Sequence, residues 1–165
     1  MRVEWVELME RITLGDAACS FEDRLIAGHA LCLLYARSRQ WDSQFIIQEP
    51  IIGVRYVEAS TSRTKAFNRR GRSDEAIELV GVCKGLLSRL WSEAWLELRR
   101  EVLLCATDDQ LLLPGVERYG SWSGAAVESG AFSMHLRDLL LRHGVPASML
   151  WNLGSHSLKA TVLSW

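Results

Sequence analysis

Three groups of side chains in this sequence have the types and spacing to hold an anion. His156 and Lys159 stand three residues apart in Gly154-Ser155-His156-Ser157-Leu158-Lys159-Ala160-Thr161, so on a helix they share one face. An imidazole and an ammonium side by side at a helix start suit a phosphate. Arg39 follows a long apolar stretch, with Asp42 three residues on, where the pair could also bind each other on a helix face. Between these two groups lies the chain's one concentrated basic segment, with Arg63, Lys65, Arg69, Arg70 and Arg72. Taken singly, a solvated basic loop is the ordinary explanation for such a run.

These groups must be positioned by the elements around them. Val3, Trp5, Val6, Leu8, Met9 and Ile12 predict an amphipathic helix that ends near Gly15. Ser20 followed by Asp23 approximates a capping box. Leu25, Ile26, Leu31, Cys32 and Leu34 then predict a strong helix to about Tyr35, and a second short helix is expected to start near Trp41. From Ile46 to Val82 the pattern turns to β-formers, with strands expected at Tyr56–Thr61 and Ile77–Val82. The basic segment connects those two strands.

Helical spacing returns with Trp91, Trp95, Leu98, Val102 and Leu103 on a core face and Glu93, Glu97, Arg99 and Arg100 on a solvated one. Leu111–Val116 reads as loop or extended chain, and Tyr119–Gly124 as turn-rich connection. Phe132, Leu136, Leu139 and Leu140 predict a helix stopped at Gly144 and Pro146. The closing helix is expected to be capped by Ser155 and to bury Leu158, Val162 and Trp165. Trp122 is the tryptophan expected as a surface contact, and the other tryptophans are expected mainly in the core.

At 165 residues, with 48% hydrophobic and 24% charged residues, one mostly helical α+β domain is expected. The net charge of −1 gives no global case for nucleic-acid binding, so any such case rests on local clustering. Cys19, Cys32, Cys83 and Cys105 form no CxxC pair, which reads as reduced, mostly buried thiols. His29, His135 and His143 have no partners at ligand spacing, so no metal or other cofactor is expected. No secretory leader and no apolar run of membrane-spanning length is visible, which points to an intracellular protein, nuclear or cytoplasmic.

The order of the three cation-bearing groups resembles the catalytic domain of the tyrosine recombinases, the phage-integrase family, over roughly residues 20 to 165. Leu33-Leu34-Tyr35-Ala36-Arg37-Ser38-Arg39-Gln40-Trp41-Asp42 looks like that family's Arg-x-x-Glu/Asp box. Val57-Glu58-Ala59-Ser60-Thr61-Ser62-Arg63-Thr64-Lys65 looks like the strand leading to its hairpin lysine. Gly154 to Thr161 looks like its His-x-x-Arg box, with Lys159 where the family usually has arginine. The ammonium keeps the charge and loses the planar two-pronged grip on phosphate oxygens.

The resemblance implies a mostly helical recombinase core with a small antiparallel sheet, acting in DNA recombination or integration as part of a mobile element. Its reaction is metal-free transesterification at a DNA phosphodiester, in which fixed cations offset charge on the non-bridging oxygens. Arg39 and Lys159 would clamp the phosphate, Lys65 would protonate the departing oxygen, and His156 would bond the phosphate and assist proton movement. Asp42 would orient Arg39. Arg63, Arg69, Arg70 and Arg72 would track the DNA backbone. Assembly as a homo-oligomer on DNA is a further implication, with no membrane partner. Tyr35, Tyr56 and Tyr119 all precede His156, so none matches the family nucleophile. Residues 1–165 are therefore expected to be one catalytic-type domain, incomplete at its C-terminus and inactive as it stands, with residues 1–19 as a leading helix. The rival expectation is a non-catalytic helical protein-interaction or DNA-binding module.

Overall fold

The computed structural model describes residues 1–16, 18–61, 76–102, 111–116 and 122–161, and its elements wrap one helix that is apolar on nearly every side. Helix α1, Val3–Leu14, buries Trp5, Val6, Met9 and Ile12, and closes at Gly15. There the backbone takes φ 79°, and the Gly15 amide reaches the carbonyls of Arg11 and Ile12. That left-handed geometry favours glycine. Helix α2, Phe21–Tyr35, starts as its sequence predicts: Ser20 Oγ accepts from the Asp23 amide at 3.1 Å.

Helix α2 is the centre of the fold. Leu25, Ile26, Ala27, Ala30, Leu31, Leu33 and Leu34 are all buried, which explains why this stretch is apolar without a single stripe. Each buried leucine or isoleucine there contributes about 1.5–3 kcal/mol. Packed on it are α1, helix α3 (Trp91–Glu101), helix α4 (Ser129–Arg142), helix α6 (Ser155–Thr161) and strand β3 (Ile77–Val82). Gly28 lies so close to Trp95 that a Cβ there would collide with the indole. The Trp95 indole N–H donates to the Leu25 carbonyl at 3.2 Å.

Strands β1 (Ile51–Ile52), β2 (Tyr56–Thr61) and β3 (Ile77–Val82) form an antiparallel sheet in the order β1-β2-β3. In β2, Val57, Ala59 and Thr61 are buried while Tyr56 and Glu58 face outward, the alternation of a half-covered sheet. Strands β4 (Pro114–Val116) and β5 (Trp122–Ala126) make a separate antiparallel ribbon. A short helix, α5 (Ala147–Leu150), precedes α6. The described residues thus form an α+β fold with six helices and a small antiparallel sheet.

Four expectations need correction. No helix starts near Trp41; residues 40–44 form turns that lead to isolated bridges at Phe45 and Ile46. Residues 122–124 belong to β5, because Trp122 pairs with Val116. Arg99, expected on the solvated face of α3, is 1% exposed. It donates to both Glu49 carboxylate oxygens, at 3.0 and 3.1 Å, and to the Leu112 carbonyl. A partner carboxylate far away in sequence converted an apparent surface charge into a core one. Ser155, expected to cap the last helix, is its first residue instead, and its amide finds an acceptor on another helix.

Candidate functional site

Arg39 is exposed on the turn that leaves α2. Arg37 turns the chain there at φ 51°, and the Arg39 carbonyl accepts from the Ser43 amide at 3.2 Å. The neighbouring side chain, Gln40, fixes the turn in the core. Its Oε1 accepts from His29 Nε2 at 2.8 Å, and its Nε2 donates to the Val127 carbonyl at 3.4 Å. An oxygen acceptor at Nε2 requires the proton on that nitrogen, leaving Nδ1 as the bare lone pair. Burial between Trp95 and Phe132 keeps this imidazole neutral, with its pKa lowered to about 4. His29 Nδ1, Ser38 Oγ and the Gln44 side-chain amide are buried without a hydrogen-bond partner among the described residues.

His156 is exposed on the first turn of α6. The helix is seated by Leu158, which is fully buried, and by its start. The Ser155 amide donates to Ser133 Oγ at 3.0 Å, and Ser133 Oγ donates to the Ser129 carbonyl at 2.7 Å. Ser157 Oγ accepts from the Gly154 amide at 3.2 Å and donates to the Asn152 carbonyl at 3.4 Å. Arg137 Nε closes the approach by donating to the Leu153 carbonyl at 2.6 Å.

Arg39 and His156, 117 positions apart in the sequence, are therefore fastened to the same end of α4. Arg39 is tied through Gln40 to Val127, just before that helix, and His156 through Ser155 to Ser133 in its second turn. Ser129 and Ser133 are separated by about 6 Å along a helix axis. Lys159 lies one turn beyond His156 on α6; its side chain is outside the described residues.

Lys65, with Arg63, Arg69, Arg70 and Arg72, also lies outside the described residues. The two ends of that segment are placed, since Thr61 pairs with Ile77 across β2 and β3. Its root is bound to the chain that follows Arg39. Ile46 bridges Thr61, the Ile47 amide donates to the Ser60 carbonyl at 2.8 Å, and Thr61 Oγ1 donates to the Phe45 carbonyl at 2.9 Å. Asp42 is half-buried within the Arg39 turn.

Several structural groups were not legible as such in the sequence. Glu10, in an ordinary amphipathic helix, is fully buried and accepts from the amides of Leu86 and Leu87 at 2.7 and 2.8 Å and from the Tyr35 hydroxyl. Burial, then that bond to Glu10, pushes the Tyr35 phenol well above its usual range. Burial likewise raises the Cys32 thiol to about 12, so this cysteine is an inert core residue. Among the described residues no group of three or more His, Cys, Asp or Glu side chains could hold a metal, and no helix is long and apolar enough to cross a membrane. Comparison of the chain with protein-family models, with characterised proteins and with solved structures finds no match.

Proposed function

We propose that this chain is a tyrosine-recombinase-like domain that holds a DNA phosphodiester with Arg39, Lys65, His156 and Lys159. The observation that carries the reading is the joint attachment of the Arg39 turn and the His156 turn to the N-terminal end of α4. The bridge between Ile46 and Thr61, which roots the Lys65 segment beside the Arg39 turn, supports it further. In this reading the Arg39 guanidinium and the Lys159 ammonium take opposite non-bridging oxygens, and His156 donates to one of them. Preorganised cations in fixed positions are what a metal-free phosphoryl transfer requires. Lys65 supplies the proton for the departing oxygen, and Arg63, Arg69, Arg70 and Arg72 follow the backbone on either side.

Neither described tyrosine serves as nucleophile in this proposal. The Tyr35 hydroxyl is engaged with buried Glu10. Tyr56 begins β2, about 17 Å along the strand from Thr61, where the Lys65 segment departs. A strand-transfer nucleophile would have to come from elsewhere. A second reading, a non-catalytic protein-interaction module, draws on the outer face of the sheet, where Ile51, Tyr56, Val80 and Val82 stay exposed.

Fluorescence anisotropy with a labelled duplex separates the two. Arg39→Ala and His156→Ala are each expected to weaken binding about tenfold, as loss of a hydrogen bond to a charged group does. Arg39→Ala should also lower the salt slope by about one counterion. Unchanged affinity in both variants would remove the phosphate-binding reading and leave the interaction module.

A further inference from the structure

Strand β3 has a neighbouring strand on one side only, β2, and the phase of that ladder decides what its other side presents. The Cys83 amide donates to the Arg55 carbonyl at 3.0 Å, and the register runs on through Gly81 with Val57 and Leu79 with Ala59. In an antiparallel pair such residues turn both backbone groups toward the partner strand, and the residues between them turn theirs away. The amides and carbonyls of Glu78, Val80 and Val82 therefore line the outer edge. The Val82 carbonyl accepts from the Trp91 indole N–H at 3.1 Å and keeps a second lone pair. Among the described residues no other backbone hydrogen bond engages this edge.

Monomeric proteins guard such edges with proline, lysine, a bulge or a very short strand. The β3 sequence, Ile-Glu-Leu-Val-Gly-Val, has no proline or lysine and pairs with β2 residue for residue. Val80 is 46% and Val82 38% exposed.

The side chains along the edge suit a second copy of the same strand. Glu78, Val80, Val82 and Lys84 follow at alternate positions, and all are exposed. About a two-fold axis at Gly81, an antiparallel copy sets Val80 opposite Val82 and Glu78 opposite Lys84, and each pair occurs on both sides of the axis. Aliphatic pairs and opposite charges across neighbouring strands are both favourable. Val80 and Val82 exchange backbone bonds across the axis, where Gly81 puts no side chain. An axis at Leu79 would bring the two Glu78 carboxylates onto one diagonal, and one at Val80 would leave Lys84 facing Ala76. The other charges at this end of the sheet, Glu58 and Arg55, belong to the β2 chain, about 4.8 Å further from the edge.

We infer that β3 is the docking edge for a second copy of this chain, the two β3 strands pairing antiparallel about Gly81 and joining their three-stranded sheets into one. The dimer forms without DNA, and the inference does not rest on the phosphate site.

Sedimentation equilibrium of the 165-residue protein without DNA, over a concentration series, tests it. A reversible monomer–dimer equilibrium is expected. Glu78→Lys and Lys84→Glu each turn both charge pairs into like charges and should weaken the dimer about tenfold. An equimolar mixture of the two restores both pairs in the heterodimer and should associate as the wild type does. Val80→Pro removes an amide that points away from β2, so the monomer keeps its ladder and its circular dichroism while the dimer is lost. A wild type that stays monomeric, a dimer that Glu78→Lys and Val80→Pro leave intact, or weakened association that the mixture does not restore would each overturn the inference. With no DNA in the cell, every one of these results leaves the phosphate site standing.

Discussion

The imidazole of His29 shows how far a side chain can be taken from its ordinary chemistry when the core closes over it. Burial lowers its pKa from 6.5 to about 4, so between those values the unfolded chain binds a proton that the folded chain refuses. Stability is therefore complete above about pH 6.5 and is lost as the pH falls from 6.5 toward 4. The loss approaches about 3 kcal/mol from this group. Urea unfolding of wild type and His29→Gln between pH 7 and 4 should show a flatter profile for the variant; parallel profiles would contradict the assignment. In the proposed reading, Lys159 stands where the tyrosine recombinases usually have arginine. Restoring the planar fork with Lys159→Arg is expected to strengthen duplex binding about threefold, because two parallel bonds replace a point charge. A weaker or unchanged Kd would argue that this position does not reach the phosphate.

At the scale of elements, the Arg39 turn is held from behind as well as by Gln40. Arg99 on α3 joins Glu49 and the Leu112 carbonyl, and the Leu112 amide donates to the Gln44 carbonyl at 2.9 Å. Removing the guanidinium leaves the Glu49 carboxylate and a buried carbonyl short of a donor. Arg99→Met should therefore destabilise the fold by about 3 kcal/mol in urea unfolding; a change under about 0.5 kcal/mol would show that the pair is not formed. Arg99 is also the clearest lesson in what could be read beforehand. Its helix, its Trp91 and Trp95 face and the strands Tyr56–Thr61 and Ile77–Val82 follow from periodicity, which is a local signal. That Arg99 turns inward depends on Glu49, fifty positions away, and no local pattern encodes that pairing. The same reason explains Glu10, bonded to Tyr35, Leu86 and Leu87, and Gln40, bonded to Val127, whose partners are distant in sequence. The turn at residues 40–44 escaped for a related reason: Gln40 and Gln44 look like solvated positions, yet both side chains are buried.

For the whole molecule, a net charge of −1 conceals an uneven distribution. Cations gather between Thr61 and Ile77, while α1 and α2 carry Glu4, Glu7, Glu10, Glu22 and Asp23 against Arg11 and Arg24. Local fields of this kind, rather than total charge, decide where a polyanion lands. The central claim is that Arg39 and His156, brought to one end of α4 by Gln40 and Ser155, act on one phosphate. An amide-resolved NMR titration of the 165-residue chain with a short DNA oligonucleotide tests it most directly. If both turns hold one phosphate, the amides of Arg39, Gln40, His156 and Ser157 shift together along one binding curve with one Kd. Shifts at only one of the two turns, at neither, or with two separate midpoints would contradict it.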